Sequence, residues 1–318
     1  MKHLFSLIII CVSMLTAHAQ KEELIKYGDF ENWVTRNIKE SRLLGGKDKT
    51  IYEIAPTTTI TGNKPYTNMG GSPWATSNVL ASPMGIVKTS NAVYPENRAG
   101  GGRCAKLTTR YEECKVLGMV NMEVMVAGSI FLGKMIEPIK STSNPYSKME
   151  MGVPFTGRPK ALKFDYNLTI PSTNQRIYSS GFGKKKVYQG TEVAEAFILL
   201  QRRWEDKDGN IYAKRVGTGR VHLDKSTGKW INGYMLPVHY GDITDKSFYK
   251  PYMGLIPEKN SYYATNSKGK MVPVHETGWD EDDATPTHML VMFSAASGEA
   301  YIGTLDLTLR VDNVKLVY

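Results

Sequence analysis

A two-residue hydrophobic period constrains this chain most. Between Ala161 and Ile170, Leu162, Phe164, Tyr166, Leu168 and Ile170 alternate with Lys163, Asp165, Asn167 and Thr169. Successive side chains on a β-strand point to opposite faces, so the pattern predicts a strand with one buried face. The C-terminus repeats it. Leu305, Leu307, Leu309 and Val311 share one parity; after Asp312-Asn313 the apolar positions become Val314, Leu316 and Tyr318. A one-residue slip would turn the strand inside out, so a bulge or kink is expected at Asp312-Asn313. His288 to Phe293 reads as a compact apolar strand, and Ala194 to Arg203 as another. The latter runs into Asp206-Lys207-Asp208-Gly209-Asn210, with Ile211-Tyr212-Ala213 beginning the return of a hairpin. Val116 to Val126 fits a short helix or a strand. Thr67 to Pro73 and Glu96 to Arg103 read as loops. Many strands with turn punctuation predict an all-β fold, a β-sandwich or jelly roll.

The first residues have a different character. Lys2 and His3 precede an apolar run from Leu4 to Leu15, and Ala17-His18-Ala19 places small residues where a signal peptidase reads them. Residues 1–19 are therefore expected to be a signal peptide cleaved before Gln20, leaving a secreted or periplasmic protein. Cys11 follows three isoleucines rather than small residues, which argues against a lipid anchor. No later segment holds eighteen consecutive apolar residues, so no transmembrane segment is expected. Residues 20–318 are expected to form a single β-sandwich domain, with a loop-rich insertion at about 237–286 that is dense in Tyr, Pro, Lys and Asp.

The net charge is +9, and removing Lys2 with the signal leaves +8. Lys184-Lys185-Lys186 is the one sharp basic run and reads as a solvated hairpin tip. With no dense basic stripe and no nucleic-acid motif, no nucleic-acid partner is expected. Cys104 and Cys114 flank the strand-like run Ala105 to Tyr111. A disulfide and two free buried thiols both remain open from spacing.

Several ordered motifs together resemble one family. They are Gly28-Asp29-Phe30-Glu31-Asn32-Trp33, Pro73-Trp74-Ala75-Thr76-Ser77-Asn78, and Gly102-Arg103-Cys104-Ala105-Lys106-Leu107-Thr108-Thr109. Ala127 to Gly133, Gly152 to Pro159, Phe293 to Gly298 and Leu309 to Leu316 continue the series. The set is similar to the putative carbohydrate metabolism domain (PCMD) family, secreted proteins of glycan-using bacteria, from about Tyr27 to Tyr318. The resemblance implies an antiparallel jelly-roll β-sandwich with long loop insertions, like galactose-binding domains. The opening departs from the family in lacking an Asn before Gly28, and Tyr178 to Pro286 carries none of its motifs.

A poly- or oligosaccharide partner directs attention to aromatics. The C–H face of a pyranose packs on an aromatic ring, and amides and acids bind its hydroxyls. Trp279, Trp74, Trp230 and Tyr234 are the main ligand-binding candidates; Trp204, Tyr240, Tyr262 and Tyr263 are further ones. Trp33 and Tyr318 fall in strand motifs and are expected in the core. Trp279 stands out because Gly278-Trp279-Asp280-Glu281-Asp282-Asp283 reads as a polar loop. That acidic run reads as a solvated loop, with calcium the sharper alternative. Asp206 to Asn210 is not an EF-hand, since Ile211 and Gly217 stand where glycine and glutamate are required. The resemblance also implies a structural Ca2+ where first and last strands meet, with Glu31 and Asp312 as ligands.

Catalytic motifs are missing: no Gly-x-Ser-x-Gly elbow, no His-Glu-x-x-His, and no metal-ligand spacing among His222, His239, His275 and His288. A glycosidase needs only two carboxylates across a cleft; Glu276 and Asp280, flanking Trp279, are the pair such an enzyme would use here. The leading reading is a non-catalytic glycan-binding protein. A glycoside hydrolase and a cell-envelope assembly protein are the alternatives, separated by glycan arrays run beside reducing-sugar release.

Overall fold

The computed structural model describes residues 20–42, 46–116, 120–181 and 183–318, without the side chains of 84 and 114–122. The expected signal peptide lies outside the described residues. Those described are all-β, joined by turns and short 3-10 segments. The candidate helix is two strands, Arg103–Val116 and Val120–Ala127, paired antiparallel.

One sheet has eight strands. Its main path runs Ser180–Gly181, Val120–Ala127, Arg103–Val116, Thr308–Val317, Ala161–Thr169, Ile231–Pro237. The period-two segment is its Ala161–Thr169 strand, with Leu162, Phe164 and Leu168 buried. The expected kink is present. Lys163 pairs with Lys315, but Asp165 pairs with Asp312, so the register shifts across Asp312-Asn313. Asn313 takes a φ of 53° there. Asparagine tolerates that left-handed region better than most residues, and the shift keeps Val311, Val314 and Leu316 inward.

The second sheet has ten strands and closes on itself. From His288–Ser294 the path runs through Ala194–Glu205, Ile211–Leu223, Met271–Trp279, Tyr263–Thr265, Met149–Met151 and Ser129–Met135. Ser129–Met135 then pairs back onto His288–Ser294, making a seven-strand ring. The sandwich expectation did not include this closure, which gives the sheet an inner and an outer face. In Ala194–Glu205, Ala196, Ile198 and Leu200 pack outward in the core shared with Phe164, Leu309 and Val311. Phe197 and Leu199 pack inward with Phe131, Met151, Leu290 and Met292. Burial on both faces explains the unbroken apolar run Ala196 to Leu200.

The region 237–286, expected as loops, supplies two ring strands, Tyr263–Thr265 and Met271–Trp279. Met271–Trp279 runs parallel to Ile211–Leu223. Pro273 and Gly278 within it hide the strand signal. Three smaller sheets complete the described fold: Trp33–Lys39 with Asp48–Ile54 and Thr58–Thr61, Gln175–Tyr178 with Lys186–Gln189 and Ile302–Gly303, and the pair Val79–Ala81 and Lys88–Ser90. The Asp206 hairpin forms as expected, with Gly209 at φ 92°. Cys104 is a free, buried thiol, pushed by burial up to about 12. It shares one strand with Cys114 ten residues on, which at strand rise is about 33 Å away. That span is too long for a bridge.

Candidate functional site

The expected aromatic residues are not gathered in one place. Trp74 is only 1 % exposed. Its indole donates to the Lys26 carbonyl at 2.9 Å, and Phe30 packs edge-on against it at 5.4 Å. Its place is the core, and the expectation of a stacking surface is corrected. Trp230 is half-buried with the Arg98 guanidinium 4.2 Å from its ring centre, so a cation covers one face. Tyr234 packs in a cluster with Phe164 and Tyr166 at 5.3 and 5.5 Å. Trp279 ends a ring strand instead of sitting in a loop, half-buried, 5.6 Å from the Arg215 guanidinium.

The ring assembles a different aromatic surface. Trp204 and Tyr212 are directly paired across the Asp206 hairpin, and Tyr212 is paired with His275 on the next strand. Trp204 and Tyr212 stack at 5.9 Å with 23° between planes; Tyr212 and His275 follow at 5.7 Å and 38°. Trp204 shares the parity of Ala196, Ile198 and Leu200, but the opposing sheet no longer covers the strand at its end. It is 44 % exposed. Beside this ladder lies a hollow of about 400 Å³ lined by Tyr212, His275, Asn210, Glu258, Ser261, Ile256 and Glu276. Trp204 was visible as a candidate, and the turn implies its pairing with Tyr212. The contribution of His275 depends on a parallel pairing between distant segments, which no local pattern signals.

The two candidate carboxylates are each held by an arginine. Glu276 accepts from Arg215 Nε at 2.7 Å and Nη2 at 2.5 Å, from Gln201 Nε2 at 2.6 Å, and from the Ile256 amide at 2.7 Å. Burial pushes its acidity toward higher pH, but the Arg215 charge and these hydrogen bonds outweigh it and hold Glu276 below the usual range. Asp280 accepts from Arg202 Nε at 2.6 Å and Nη2 at 2.7 Å, and that pairing lowers it as well. A glycosidase acid needs a raised pKa to hold its proton at neutral pH; both residues are ionised acceptors. A second cavity, of about 410 Å³, opens at the mouth of the ring between Tyr146, Tyr262, Tyr301, Met292, Glu195 and Arg220. Glu195, buried, accepts from Arg220 Nε at 2.6 Å; burial raises it, and the Arg220 charge and His222 bring it below its ordinary value.

The residues expected to bind calcium have other partners. Asp312 and Asp165 both accept from Arg98, a guanidinium where the ion was expected. Glu31 accepts from the Arg103 amide at 2.9 Å. Among the described residues no group of three or more His, Cys, Asp or Glu side chains is placed to hold a metal ion. No helix among them is long and apolar enough to cross a membrane.

Comparison with known proteins places this geometry in context. A family model described as a putative carbohydrate metabolism domain matches residues 29–206. No curated protein matches the chain. Among solved structures, one similar chain is a putative glycoside hydrolase from Bacteroides thetaiotaomicron, 15% identical, with a TM-score of 0.44. That match covers 86% of this chain and 75% of the other. A second is a putative glycoside hydrolase from Bacteroides vulgatus, 17% identical with a TM-score of 0.44, covering 91% of this chain and 96% of the other. Likeness at this level fixes no activity.

Proposed function

Because the chain belongs to the putative carbohydrate metabolism domain family, we propose that it is a non-catalytic glycan-binding protein whose contact surface is the Trp204–Tyr212–His275 ladder. One observation carries the reading: three aromatic rings in register on neighbouring strands, ending in an exposed indole. A rigid sheet holds the rings, so little ordering is required when a sugar face packs on them. Asn210, Glu258 and Ser261 in the adjoining hollow offer amide, carboxylate and hydroxyl partners to sugar hydroxyls. The ionised, arginine-bound states of Glu276 and Asp280 favour binding over hydrolysis. Export through the N-terminal segment belongs to the same reading, and N-terminal sequencing of exported protein tests it by starting at Gln20.

Trp204→Ala is expected to weaken glycan binding by about 1–3 kcal/mol, the scale of a central aromatic anchor, or roughly tenfold or more in Kd. Stability is expected to change little, because much of the indole already faces water. Trp279→Ala is expected to do the reverse, lowering stability through its contact with Arg215. A glycan array and an unfolding curve on both variants, with reducing-sugar release on the parent, check the assignment. Unchanged glycan binding in Trp204→Ala, or sugar release by the parent, would sink it.

A further inference from the structure

Arg203 lies on the inward parity of Ala194–Glu205, where the ring opens into a cavity of about 450 Å³ on a side separate from the aromatic ladder. Its Nε donates to Gln201 Oε1 at 2.8 Å and its Nη2 to the Met151 carbonyl at 3.0 Å. Both acceptors are neutral. Among the described residues no carboxylate pairs with Arg203, and its Nη1 donates to nothing. Within the ring, Gln201 joins it to Glu276, whose charge is already met by Arg215. At the cavity wall Lys134 and Glu150 are 3.6 Å apart and offset one another. His288, also in the wall, is driven down to about 4 by burial and then by Arg203, so it is neutral at pH 7. Glu276 and Glu150 both act on Arg203 through space, but each already has its own cation, so the charges facing this cavity sum to one net positive charge.

An unpaired guanidinium drawn out of water is costly, and here burial pushes Arg203 down to about 10. The residue still keeps a partly exposed edge. Directly over it sits Gly152 at φ 98°, where an added Cβ would come within 3.0 Å of Nη2. A side chain at this position would crowd both the Arg203 guanidinium and Leu290, and glycine leaves that edge of the cavity open.

We infer that this cavity binds the carboxylate of an acidic sugar, with Arg203 as its counter-charge. A guanidinium presents N–H groups in a fixed fork that matches a carboxylate, and the pairing is charge-assisted. The cavity volume is within the range of small-ligand sites, and His288 adds a neutral polar group for a hydroxyl. The sugar part of this assignment rests on the glycan-binding reading; the anion part rests on the Arg203 charge alone.

The test titrates D-glucuronate, D-glucose and acetate into the full chain, following thermal midpoint and the Arg203 Nε–H resonance. Glucuronate is expected to raise the midpoint and shift that resonance, at concentrations where glucose and acetate do neither. Arg203→Gln is expected to weaken glucuronate binding roughly tenfold or more, and Arg203→Lys to retain part of it. In Trp204→Ala the glucuronate-induced shift of the Arg203 Nε–H resonance is expected to persist, which separates this cavity from the ladder. Should Arg203→Gln fail to fold, the resonance shift in the parent chain decides alone. An absent glucuronate response, or one that persists in Arg203→Gln, overturns the inference. Equal responses to acetate and glucuronate overturn its sugar part.

Discussion

Arg36→Met is expected to lower folding stability by about 3–5 kcal/mol, the cost of removing one member of a buried ionic cluster, and to drop the melting midpoint by on the order of 10 °C. Arg36 is 1 % exposed within the small sheet of Trp33–Lys39. It donates to Glu53 Oε1 at 2.7 Å and to both Glu137 oxygens at 3.0 and 2.7 Å. Glu137 also accepts the Tyr66 amide at 2.9 Å and the Leu80 amide at 2.7 Å. This side chain therefore fastens the small sheet to the end of Ser129–Met135. One guanidinium neutralises one carboxylate, and the other must keep its proton. Glu53 is that group: burial first, against the Arg36 charge and together with that of Glu137, pushes it up to about 8. The sign of the pH effect follows. Between 4.5 and about 8 the folded chain holds a proton that the unfolded chain releases, so this group's stability contribution is full below 4.5 and is lost as pH rises through that window. Urea unfolding at a series of pH values is expected to show that decline, and Glu53→Gln is expected to flatten it. Arg36→Met within about 1 kcal/mol of the parent would show that the cluster does not hold the sheet.

Local periodicity made the long antiparallel strands legible. The alternation from Leu162 to Leu168 gave a central strand, and the parity change around Asp312-Asn313 located the register shift observed there. Closure of the second sheet was not legible, because it depends on Ser129–Met135 meeting His288–Ser294 and on a parallel strand interrupted by Pro273 and Gly278. Trp74 misled for a related reason. It follows Gly70, Gly71 and Pro73, a loop-like context, yet its one polar atom meets the Lys26 carbonyl, so the ring is buried without penalty. One signal went unused. Arg36 stands between Val34 and Ile38 on the inward parity of its strand, and Arg203 and Arg215 likewise lie in strands. A charge at an apolar parity position requires a partner, so it marks either a buried ion pair or a ligand site. Sequence alone does not say which; the structure separates the paired Arg36 and Arg215 from Arg203.

Glu276→Gln decides between the structural and catalytic roles of the carboxylate that a hydrolase would most plainly use. Its expected cost is about 3–5 kcal/mol of stability, because Arg215, fully buried, loses its only ion-pair partner among the described residues while Arg203 stands uncompensated in the same ring. Glutamine keeps the shape and part of the hydrogen bonding to Arg215 and Gln201, so the loss reports charge rather than volume. Arg215→Met is expected to cost a similar amount by leaving Glu276 as the unpaired charge. The double variant Arg215→Met/Glu276→Leu should recover much of the deficit, since a buried pair exchanged for apolar groups is often near neutral. Acid sensitivity runs opposite to that of Glu53. Glu276 titrates below 4.5 when folded, so its contribution is present above 4.5 and is lost as pH falls through the lowered folded value. Equilibrium unfolding of the three variants at neutral and acid pH measures the coupling, and reducing-sugar release from each tests catalysis. A Glu276→Gln protein as stable as the parent, from which a parental sugar-releasing activity had vanished, would make Glu276 a catalytic carboxylate and displace the binding assignment.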